Sequence, residues 1–186
     1  AHSRGNAGVK EAVDVNALLE EYTNLAYHGM RAQRPDFTCT IERAFDASPL
    51  TVQAVPQDLS RVVLNLVGNA LYAVADRKAR LNGQSDGGAP SDAFVPTIRV
   101  STRAVEGAVE VVVWDNGGGI PEAVRKKIFE PFFTTKPAGE GTGLGLSLSH
   151  DIVAAHGGTL VVESGGEETT FTLTLLPVRV PEPATR

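Results

Sequence analysis

The sequence predicts an α/β fold of the α+β kind: a two-layer sandwich with a mixed, mostly antiparallel sheet and helices on one face. Stretches with alternating polarity, typical of strands and hairpins, lie on both sides of one long helical stretch. The whole pattern predicts about six to seven strands and four helices. The helical stretch has apolar residues at three- and four-residue spacing, as expected for a helix packed on a sheet: Leu59, Val62, Val63, Leu66, Val67, Ala70, Leu71 and Val74.

The part of the chain before the long helix is predicted to contain three strands and a helix. A short strand at 13–15 leads into a helix that Asn16 is expected to cap, since Asn is a favoured residue at helix starts. Residues 37–45 alternate apolar and polar, and residues 51–55 form another strand pattern. Because a short turn separates these two stretches, we expect them to pair antiparallel.

The second half of the chain is predicted to be mainly hairpins with one further helix. The long helix begins at Pro56 or Gln57, where Pro is tolerated. The pattern that follows predicts a loop insertion at 82–96, a hairpin with its turn at Glu106-Gly107, a helix with Leu144, Leu148 and Ile152 on one side, and a closing hairpin of 159–163 with 169–176.

Composition limits the possible functions. The 186 residues are 42% hydrophobic, enough for one ample core, and carry 17 basic against 22 acidic residues for a net charge of −5. Nucleic acid is therefore an unfavoured partner. No apolar run reaches the length of a membrane helix, so we expect no membrane contact by this chain and a cytoplasmic location. The single Cys39 alternates with Phe37 and Ile41, which favours a buried packing role.

The segment Asp115-Asn116-Gly117-Gly118-Gly119-Ile120 directly follows the buried-strand pattern Val111-Val112-Val113-Trp114. A carboxylate released at the end of a strand is a hydrogen-bond acceptor, and the glycines beside it let the backbone approach a ligand closely. The segment therefore indicates a ligand-binding edge. A plain turn is the alternative, because Asp-Asn-Gly is also common turn chemistry.

Two asparagines, Asn65 and Asn69, lie one turn apart on the long helix, on the face opposite its apolar stripe. An amide offers an oxygen suited to Mg²⁺ and an N–H donor suited to phosphate. The alternative is a pair of solvated amides on an exposed helix face. The asparagines indicate a binding site only in combination with the glycine-rich segments that follow them in the sequence.

Residues 139–146, Gly-Glu-Gly-Thr-Gly-Leu-Gly-Leu, run from a polar loop into a helix. Successive backbone N–H groups at a glycine-rich helix start can bind phosphate oxygens. The segment lacks the Gly-Lys-[Ser/Thr] of a Walker A loop and the spacing of a dinucleotide-binding fold, and the catalytic loop of protein kinases is missing. Phosphate binding is therefore favoured, but the familiar nucleotide-binding motifs are excluded.

Four stretches in this order resemble the N, G1, F and G2 boxes of sensor histidine kinase catalytic domains, within the wider gyrase, Hsp90, histidine kinase and MutL ATP-binding superfamily. They are Asn65-Leu66-Val67-Gly68-Asn69, the segment 115–120, Phe129-Glu130-Pro131-Phe132-Phe133, and Gly141-Thr142-Gly143-Leu144-Gly145-Leu146. The resemblance spans roughly residues 13–177. It implies a Bergerat-type ATP-binding catalytic domain at 9–178 with an ATP lid at 134–142. The sequence outside this range predicts a disordered lead-in or a cloning remnant at 1–8 and a disordered tail at 179–186.

The resemblance also implies roles for single residues. Asp115 bonds the adenine amino group, Asn69 holds Mg²⁺ with Asn65 near the phosphates as a second catalytic residue, and Phe132 and Phe133 anchor the lid. The implied ATP-binding set is Asn65, Asn69, Tyr72, Asp115, Gly117, Gly119, Ile120, Phe132, Phe133, Lys136, Gly141, Thr142, Gly143, Leu144, Gly145, Leu146 and Thr169.

This chain departs from the family pattern at three places. Many relatives carry a basic residue where this chain has Tyr72, and Lys136 is the candidate for the missing positive charge. Glu167-Glu168-Thr169 replaces a more usual Gly-Thr, which weakens the assignment of Thr169. Where the ATP-hydrolysing branches carry a Glu that activates water, this chain has Asn65, and an amide is a poor base. We therefore expect phosphoryl transfer rather than efficient hydrolysis.

The implied function is transfer of the γ-phosphoryl group of Mg·ATP to a histidine on a separate dimerisation domain of the same protein. None of the four histidines of this chain has the expected context, His150-Asp151 included, so we expect a monomeric piece of a longer protein that does not phosphorylate itself. A receiver domain of a response regulator is the implied later partner. The alternatives are another superfamily enzyme, an ATPase or a protein-serine kinase, and a nucleotide-sensing module without catalysis.

Overall fold

The computed structural model describes residues 8–83 and 94–177. Expectations about residues 1–7 of the lead-in, residues 84–93 of the loop insertion and the tail from 178 lie outside the described residues. In chain order the elements are β1 (Glu11–Asp14), α1 (Val15–Gln33), β2 (Thr40–Ala44), β3 (Thr51–Ala54), α2 (Pro56–Gly83), β4 (Thr97–Val105), β5 (Ala108–Asp115), α3 (Glu122–Arg125), α4 (Gly145–Ala155), β6 (Thr159–Gly165) and β7 (Glu168–Leu175).

The architecture is the predicted two-layer sandwich. The main sheet has the order β2-β4-β5-β7-β6, in which only β2 and β4 are parallel, and β1 and β3 form a separate antiparallel pair. Helices α1, α2 and α4 pack together, and α2 and α4 lie against the main sheet. The core forms between the layers, where Leu66 and Leu71 of α2 meet Ile98 and Leu173 of the sheet, all almost completely buried. The predicted fold class is confirmed.

The predicted hairpins on either side of the central strand are present. Strands β4 and β5 pair antiparallel across a turn in which Gly107 has a φ of 68°, and β6 pairs with β7. The inward-facing residues of β7 are those predicted, and Phe171, Leu173 and Leu175 are all buried. As a result β5 lies between β4 and β7, and its carboxyl end at Asp115 is held by neighbours on both sides.

The predicted antiparallel pairing of 37–45 with 51–55 is wrong. Strand β2 is shorter than predicted and pairs with β4 in parallel, whereas β3 pairs with β1. Asp46 ties the connection between β2 and β3 to β4: its carboxylate accepts hydrogen bonds from the hydroxyl and the backbone N–H of Ser48 and from the backbone N–H of Ala104. The hydroxyl of Ser48, followed by the backbone N–H groups of Ala104 and Ser48, lowers the pKa of Asp46 to about 2. The short connection between β2 and β3 therefore joins strands of two different sheets and is not a hairpin turn.

The predicted cap of the first helix is also wrong by two residues. Asp14 is the N-cap, and its carboxylate accepts a hydrogen bond of 3.0 Å from the backbone N–H of Ala17. The side chain of Asn16 instead donates to the carbonyl of Asp46 and accepts from the hydroxyl of Thr102. Asn16 thus ties the first turn of α1 to the β2–β3 connection and to β4.

Two helix details differ from the prediction. The loop expected from Asn82 begins later, because α2 continues to Gly83, a residue type that is tolerated at a helix end. Helix α4 ends before Gly157 as predicted, but Leu144 and Leu148 are 40% and 44% exposed. The buried residues of this helix are Ser147, Ser149 and Val153, and Leu144 and Leu148 lie on an outer surface beside the glycine-rich segment.

Cys39 packs against the core as predicted, although it is half-buried and not fully enclosed. Burial raises the pKa of the thiol to about 12, so it is protonated at neutral pH. Within residues 8–83 and 94–177, no helix has the combination of length and apolar character needed to cross a membrane.

Candidate functional site

The fold brings most of the predicted site residues to one cleft of about 470 Å³, a volume typical of a small-molecule site. Its walls are α2, the connection from β5 to α3, and the segment that leads into α4. The predicted residues that line it are Asn65, Asn69, Tyr72, Asp115, Gly117, Gly119, Ile120, Phe133, Lys136, Gly141, Thr142, Gly143, Gly145, Leu146 and Thr169.

Two predicted site residues do not line the cleft. Phe132 is 75% exposed and has a φ of 65°, a backbone conformation that costs a non-glycine residue about 1 kcal/mol or more. Leu144 is also exposed, at the start of α4. Phe133, the neighbour of Phe132, faces the cleft instead. A lid-anchoring role inside the cleft is therefore open to Phe133, whereas Phe132 points elsewhere.

The closed end of the cleft is formed by Asp115, the last residue of β5. It is 4% exposed and lies opposite Thr169 in the pairing of β5 with β7. One carboxylate oxygen accepts a hydrogen bond of 2.8 Å from the backbone N–H of Gly117, and within the described residues the carboxylate receives no other. Burial raises the pKa of Asp115 to about 6, although the Gly117 bond acts in the opposite direction. A buried acceptor with spare capacity suits a polar ligand that donates hydrogen bonds.

Gly117 is required for space at this end. A Cβ atom added to it would lie 2.5 Å from the Cβ of Ala73 and 2.8 Å from the carbonyl carbon of that residue. It would also lie 2.7 Å from the Asp115 carboxylate. Any side chain here would therefore push α2 away from the end of β5 and fill the space beside the acceptor.

Ser164 connects the cleft-lining segment at Ile120 to the hairpin of β6 and β7. The sequence analysis did not identify this residue. Its hydroxyl donates to the carbonyl of Glu168 at 2.8 Å and accepts from the backbone N–H of Ile120 at 2.7 Å. The hydroxyl of Thr169 lies 3.2 Å away. Ser164 of β6 thus joins β7 to the connection between β5 and α3. The sequence carries no signal for this, since a serine in a strand is ordinary.

The two asparagines of α2 have different surroundings. The amide nitrogen of Asn65 donates to the carbonyl of Gly145 at 2.8 Å and to the hydroxyl of Ser149 at 3.1 Å. It therefore fastens the first turn of α4 to α2. Asn69 makes no such bond; its side-chain oxygen faces the ammonium group of Lys136 at 3.4 Å. Asn65 has a structural contact, whereas the oxygen of Asn69 is directed toward a cation.

The segment predicted to be the lid, residues 134–142, contacts α2. The ammonium group of Lys136 lies 4.3 Å from the centre of the Tyr72 ring, and the Tyr72 hydroxyl donates a hydrogen bond of 2.9 Å to Glu140. Burial lowers the pKa of Lys136, and the Glu140 carboxylate offsets part of that effect. Burial and the bond to Glu140 raise the pKa of Tyr72. Tyr72 therefore contacts this segment at both Lys136 and Glu140, and Asn69 contacts it at Lys136.

Several residues of the cleft were not assigned to the site from the sequence: Ala70, Ala73, Asp76, Arg80, Val124, Ile128, Thr134, Thr135, Glu140 and Phe171. Asp76 and Arg80 follow Tyr72 at four-residue spacing, so helical periodicity could have identified them. Glu140 lies in a loop with no periodicity, and only its contact with Tyr72 reveals it.

The end of the cleft away from Asp115, called the open end, contains Asn69 and Lys136. The chemistry of this end fits Mg²⁺. Among the described residues no group of three or more His, Cys, Asp or Glu could hold a metal ion. Mg²⁺ usually keeps several waters and is bound by one or two protein oxygens together with substrate phosphates. The oxygen of Asn69 already faces a cation, the Lys136 ammonium. A single amide oxygen therefore suits a Mg²⁺ ion that arrives with a nucleotide.

The raised pKa of Asp115 predicts a pH-dependent stability. The folded protein binds the carboxyl proton more tightly than the unfolded chain, in which the pKa of Asp115 has its ordinary value of 3.8. The stabilisation from this proton is complete below pH 3.8 and is lost as pH rises through about 6. A shift of this size corresponds to at most about 3 kcal/mol. We expect the free energy of unfolding of the parent, relative to Asp115→Asn, to fall by up to this amount between pH 4 and pH 8, as measured by urea denaturation. If the free energies of unfolding of the parent and Asp115→Asn change in parallel with pH, the raised pKa assigned to Asp115 is contradicted.

Comparison with known proteins identifies the family. Residues 54–179 match the family described as "Histidine kinase-, DNA gyrase B-, and HSP90-like ATPase". The chain is similar to two-component sensor PprA of Pseudomonas aeruginosa, with 35% identity over 177 residues, covering 92% of this chain and 17% of PprA. It is also similar to sensor histidine kinase ZraS of Escherichia coli K12, with 36% identity over 171 residues, covering 91% of this chain and 31% of ZraS. The chain thus spans less than a third of the length of either relative.

Solved structures agree with the sequence relatives. The catalytic domain of histidine kinase ThkA superposes with a TM-score of 0.69 at 28% identity, covering 90% of this chain and 95% of that domain. The mycobacterial sensor histidine kinase MprB superposes with a TM-score of 0.65 at 26% identity, covering 92% of this chain and all of that structure. The chain therefore belongs to the histidine kinase-, DNA gyrase B- and HSP90-like ATPase family, and its fold is that of histidine kinase catalytic domains.

Proposed function

We propose that this chain binds Mg·ATP in the cleft and transfers the γ-phosphoryl group to a histidine of a separate dimerisation domain. The observation that carries the proposal is the polarity of a single cleft. A buried acceptor, Asp115, closes one end, and the paired amides Asn65 and Asn69 lie with Lys136 at the other. This arrangement suits a ligand with a hydrogen-bond-donating base at one end and phosphates at the other.

At the closed end, the carboxylate of Asp115 accepts a hydrogen bond from the adenine amino group. Gly117 leaves room for the purine, and Gly119 and Ile120 form the neighbouring wall. Thr169 lies opposite Asp115 in the sheet and adds a hydroxyl at the same end. Guanine would place a carbonyl against the carboxylate, so this end favours adenine over guanine.

At the open end, the backbone of Gly141, Thr142, Gly143, Gly145 and Leu146 surrounds the phosphates at the start of α4. Asn69 provides an oxygen ligand for Mg²⁺, and Lys136 provides positive charge. Bound Mg²⁺ supplies neutralisation of the phosphate charge that develops during transfer. Asn65 positions the glycine-rich segment through its bonds to Gly145 and Ser149.

The chemistry at this end favours transfer over hydrolysis. The side chain of Asn65 is an amide with its nitrogen already engaged, and it cannot take a proton from water. In the transfer, an imidazole nitrogen forms a bond to the γ-phosphorus as the bond to the bridging oxygen breaks. The electron pair leaves with ADP, and the imidazole N–H proton passes to solvent. The contribution of the protein is positioning and electrostatic stabilisation.

One observation favours a second candidate, ATP hydrolysis. Glu140 lines the cleft and is the type of residue that can activate water. Its carboxylate accepts the hydroxyl proton of Tyr72 in a hydrogen bond and lies on the lid, so hydrolysis would require that bond to open.

The exposed apolar residues beside the lid are consistent with a docked partner. Phe132, Leu144 and Leu148 are 75%, 40% and 44% exposed, and the backbone of Phe132 lies directly against Gly143. Such an apolar patch with a strained aromatic residue suits a protein surface better than solvent. We assign it to the dimerisation domain that carries the acceptor histidine. A receiver domain of a response regulator would take the phosphoryl group in a later step.

None of the three histidines in the described residues, His28, His150 and His156, has the sequence context expected of the acceptor, and one of them is fully engaged. His156 is engaged at both ring nitrogens, with the backbone N–H of Val55 at 3.1 Å and the carbonyl of Ile152 at 2.7 Å. His150 lies on α4 and contacts the ring of Phe129, with a centroid distance of 5.3 Å. The acceptor is therefore assigned to another domain.

The decisive experiment incubates the chain with γ-labelled Mg·ATP and a histidine-bearing dimerisation domain supplied in trans. We expect acid-labile, alkali-stable label on the added domain and none on the chain alone. Label that survives acid would indicate a serine kinase, and release of free phosphate at a comparable rate would indicate an ATPase. Binding of Mg·ATP without either reaction would indicate a nucleotide-sensing module.

A further inference from the structure

Arg34, the residue that follows α1, lies outside the four sequence boxes and contacts Tyr72, a residue that lines the cleft. Its backbone N–H donates to the carbonyl of Met30, which fixes the residue at the end of the helix. Its guanidinium carbon lies 5.4 Å from the centre of the Tyr72 ring, and Tyr72 lines the cleft. The same ring lies 4.3 Å from the ammonium group of Lys136. Cations from α1 and from the lid therefore converge on one aromatic side chain.

The guanidinium of Arg34 has unused donors. Within the described part of the chain it forms no hydrogen bond and no ion pair, and its contact is the face of Tyr72. Other arginines are committed to carboxylates: Arg43 to Glu20, Arg77 to Glu167, Arg99 to Glu42 and Arg103 to Glu110. A half-buried guanidinium beside a cleft, with its donors unspent, can bind an anion there.

The open end of the cleft also needs another positive charge. Lys136 is the cation that lines it there, and the carboxylate of Glu140 lies close enough to affect the pKa of that lysine. Tyr72 contributes no charge. The other cleft-lining cation, Arg80, belongs to the opposite end near Gly118 and pairs with Asp76. A nucleotide with three phosphates would therefore meet little net positive charge from the cleft itself.

We propose that Arg34 binds the terminal phosphate of the bound nucleotide, and that the ring of Tyr72 orients the guanidinium for this contact. The guanidinium presents its N–H groups in a planar fork that matches phosphate oxygens, which an ammonium group does not. The proposal rests on the proposed function, since it assigns one contact within the same site. It makes the loop after α1 part of the nucleotide-binding machinery.

The test compares affinities for Mg·AMPPNP, a non-hydrolysable triphosphate, and Mg·ADP by isothermal titration calorimetry. We expect Arg34→Gln to weaken AMPPNP binding about tenfold or more, in line with the loss of a charge-assisted hydrogen bond, and to change ADP binding less than twofold. The matched control is Arg31→Gln on the same helix end, whose side chain donates to the carbonyl of Pro35. This control should leave both affinities unchanged.

The ratio of the two affinities distinguishes the proposal from its alternatives. An unchanged ratio in Arg34→Gln, or equal losses for both nucleotides, would overturn the assignment of Arg34. Failure of the parent chain to bind either nucleotide would instead overturn the proposed function. If Arg34→Gln does not fold, as judged by circular dichroism, Arg34→Lys replaces it and should lose triphosphate preference in the same direction by a smaller factor.

Discussion

Asn69→Ala should strongly weaken Mg²⁺-dependent nucleotide binding while the protein remains folded. The side-chain oxygen of Asn69 faces a cation and its side chain is half-buried at the cleft, outside the core. We expect the affinity for Mg·ATP to fall on the order of 100-fold, the scale of losing a metal-site contact. Alanine is a better helix former than asparagine, so the free energy of unfolding should not fall. Calorimetry with Mg·ATP and urea denaturation measure the two effects.

Asn65→Ala provides the contrast, one turn earlier on the same helix. The amide of Asn65 donates to the carbonyl of Gly145 and the hydroxyl of Ser149, so the substitution should destabilise the protein by about 1–3 kcal/mol.

The control for the magnesium role of Asn69 is removal of the metal. In the presence of EDTA, the parent and Asn69→Ala should bind ATP with similar, weak affinity. An unchanged affinity of Asn69→Ala for Mg·ATP, or a difference that persists in EDTA, would contradict the role of Asn69 as a magnesium ligand.

Gly143→Ala should disrupt the glycine-rich segment and with it the phosphate end of the cleft. Gly143 has a φ of 69°, and an added Cβ would overlap the carbonyl group of Phe132 and lie 2.7 Å from its Cα atom. The left-handed conformation costs alanine about 1–2 kcal/mol, and the overlap with rigid backbone adds about 1–3 kcal/mol. We expect the affinity for Mg·ATP to fall more than tenfold, with a lower free energy of unfolding in urea.

Gly139→Ala is the matched control in the same loop. Gly139 also has a positive φ, 88°, but no atom lies within 4 Å of the position that a Cβ would take. This variant carries the conformational cost without the overlap and should bind Mg·ATP nearly as well as the parent. Equal losses in the two variants would show that backbone strain, and not the contact with Phe132, determines the effect.

Sequence periodicity predicted the elements that bury one face against the core. The apolar stripe of α2 is buried from Leu59 to Val74, and the alternation of β7 places Phe171, Leu173 and Leu175 in the core. These patterns report burial directly, because one face of each element meets the core. The fold class followed from their order along the chain.

Strand pairing and helix capping could not be obtained in the same way. Strand β2 pairs with β4, more than 50 residues further along the chain, and next to this pairing Asp46 bonds to Ala104, 58 residues away. Asp14 and Asn16 are both good capping residues, and the contact of Asn16 with Thr102 decides between them. Such choices depend on partners distant in sequence, for which local spacing carries no signal.

The site shows the same division. The glycine-rich segments and the two asparagines predicted where the cleft would be, because close backbone approach and a helical turn are local properties. The contacts of Glu140 with Tyr72 and of Ser164 with Ile120 join loops to distant elements, so they became visible only in the folded chain. The roles of the site residues in binding ATP stay predictions until the titrations above are made.

Strand β3 has a mechanical consequence for the domain. It pairs with β1 on one side, and Val52 bridges Pro177 on the other, so the two ends of the described chain meet on one four-residue strand. Two residues later α2 begins, the helix that carries Asn65 and Asn69. A force applied at either end of the described chain would therefore act on β3, two residues before the helix that lines the cleft.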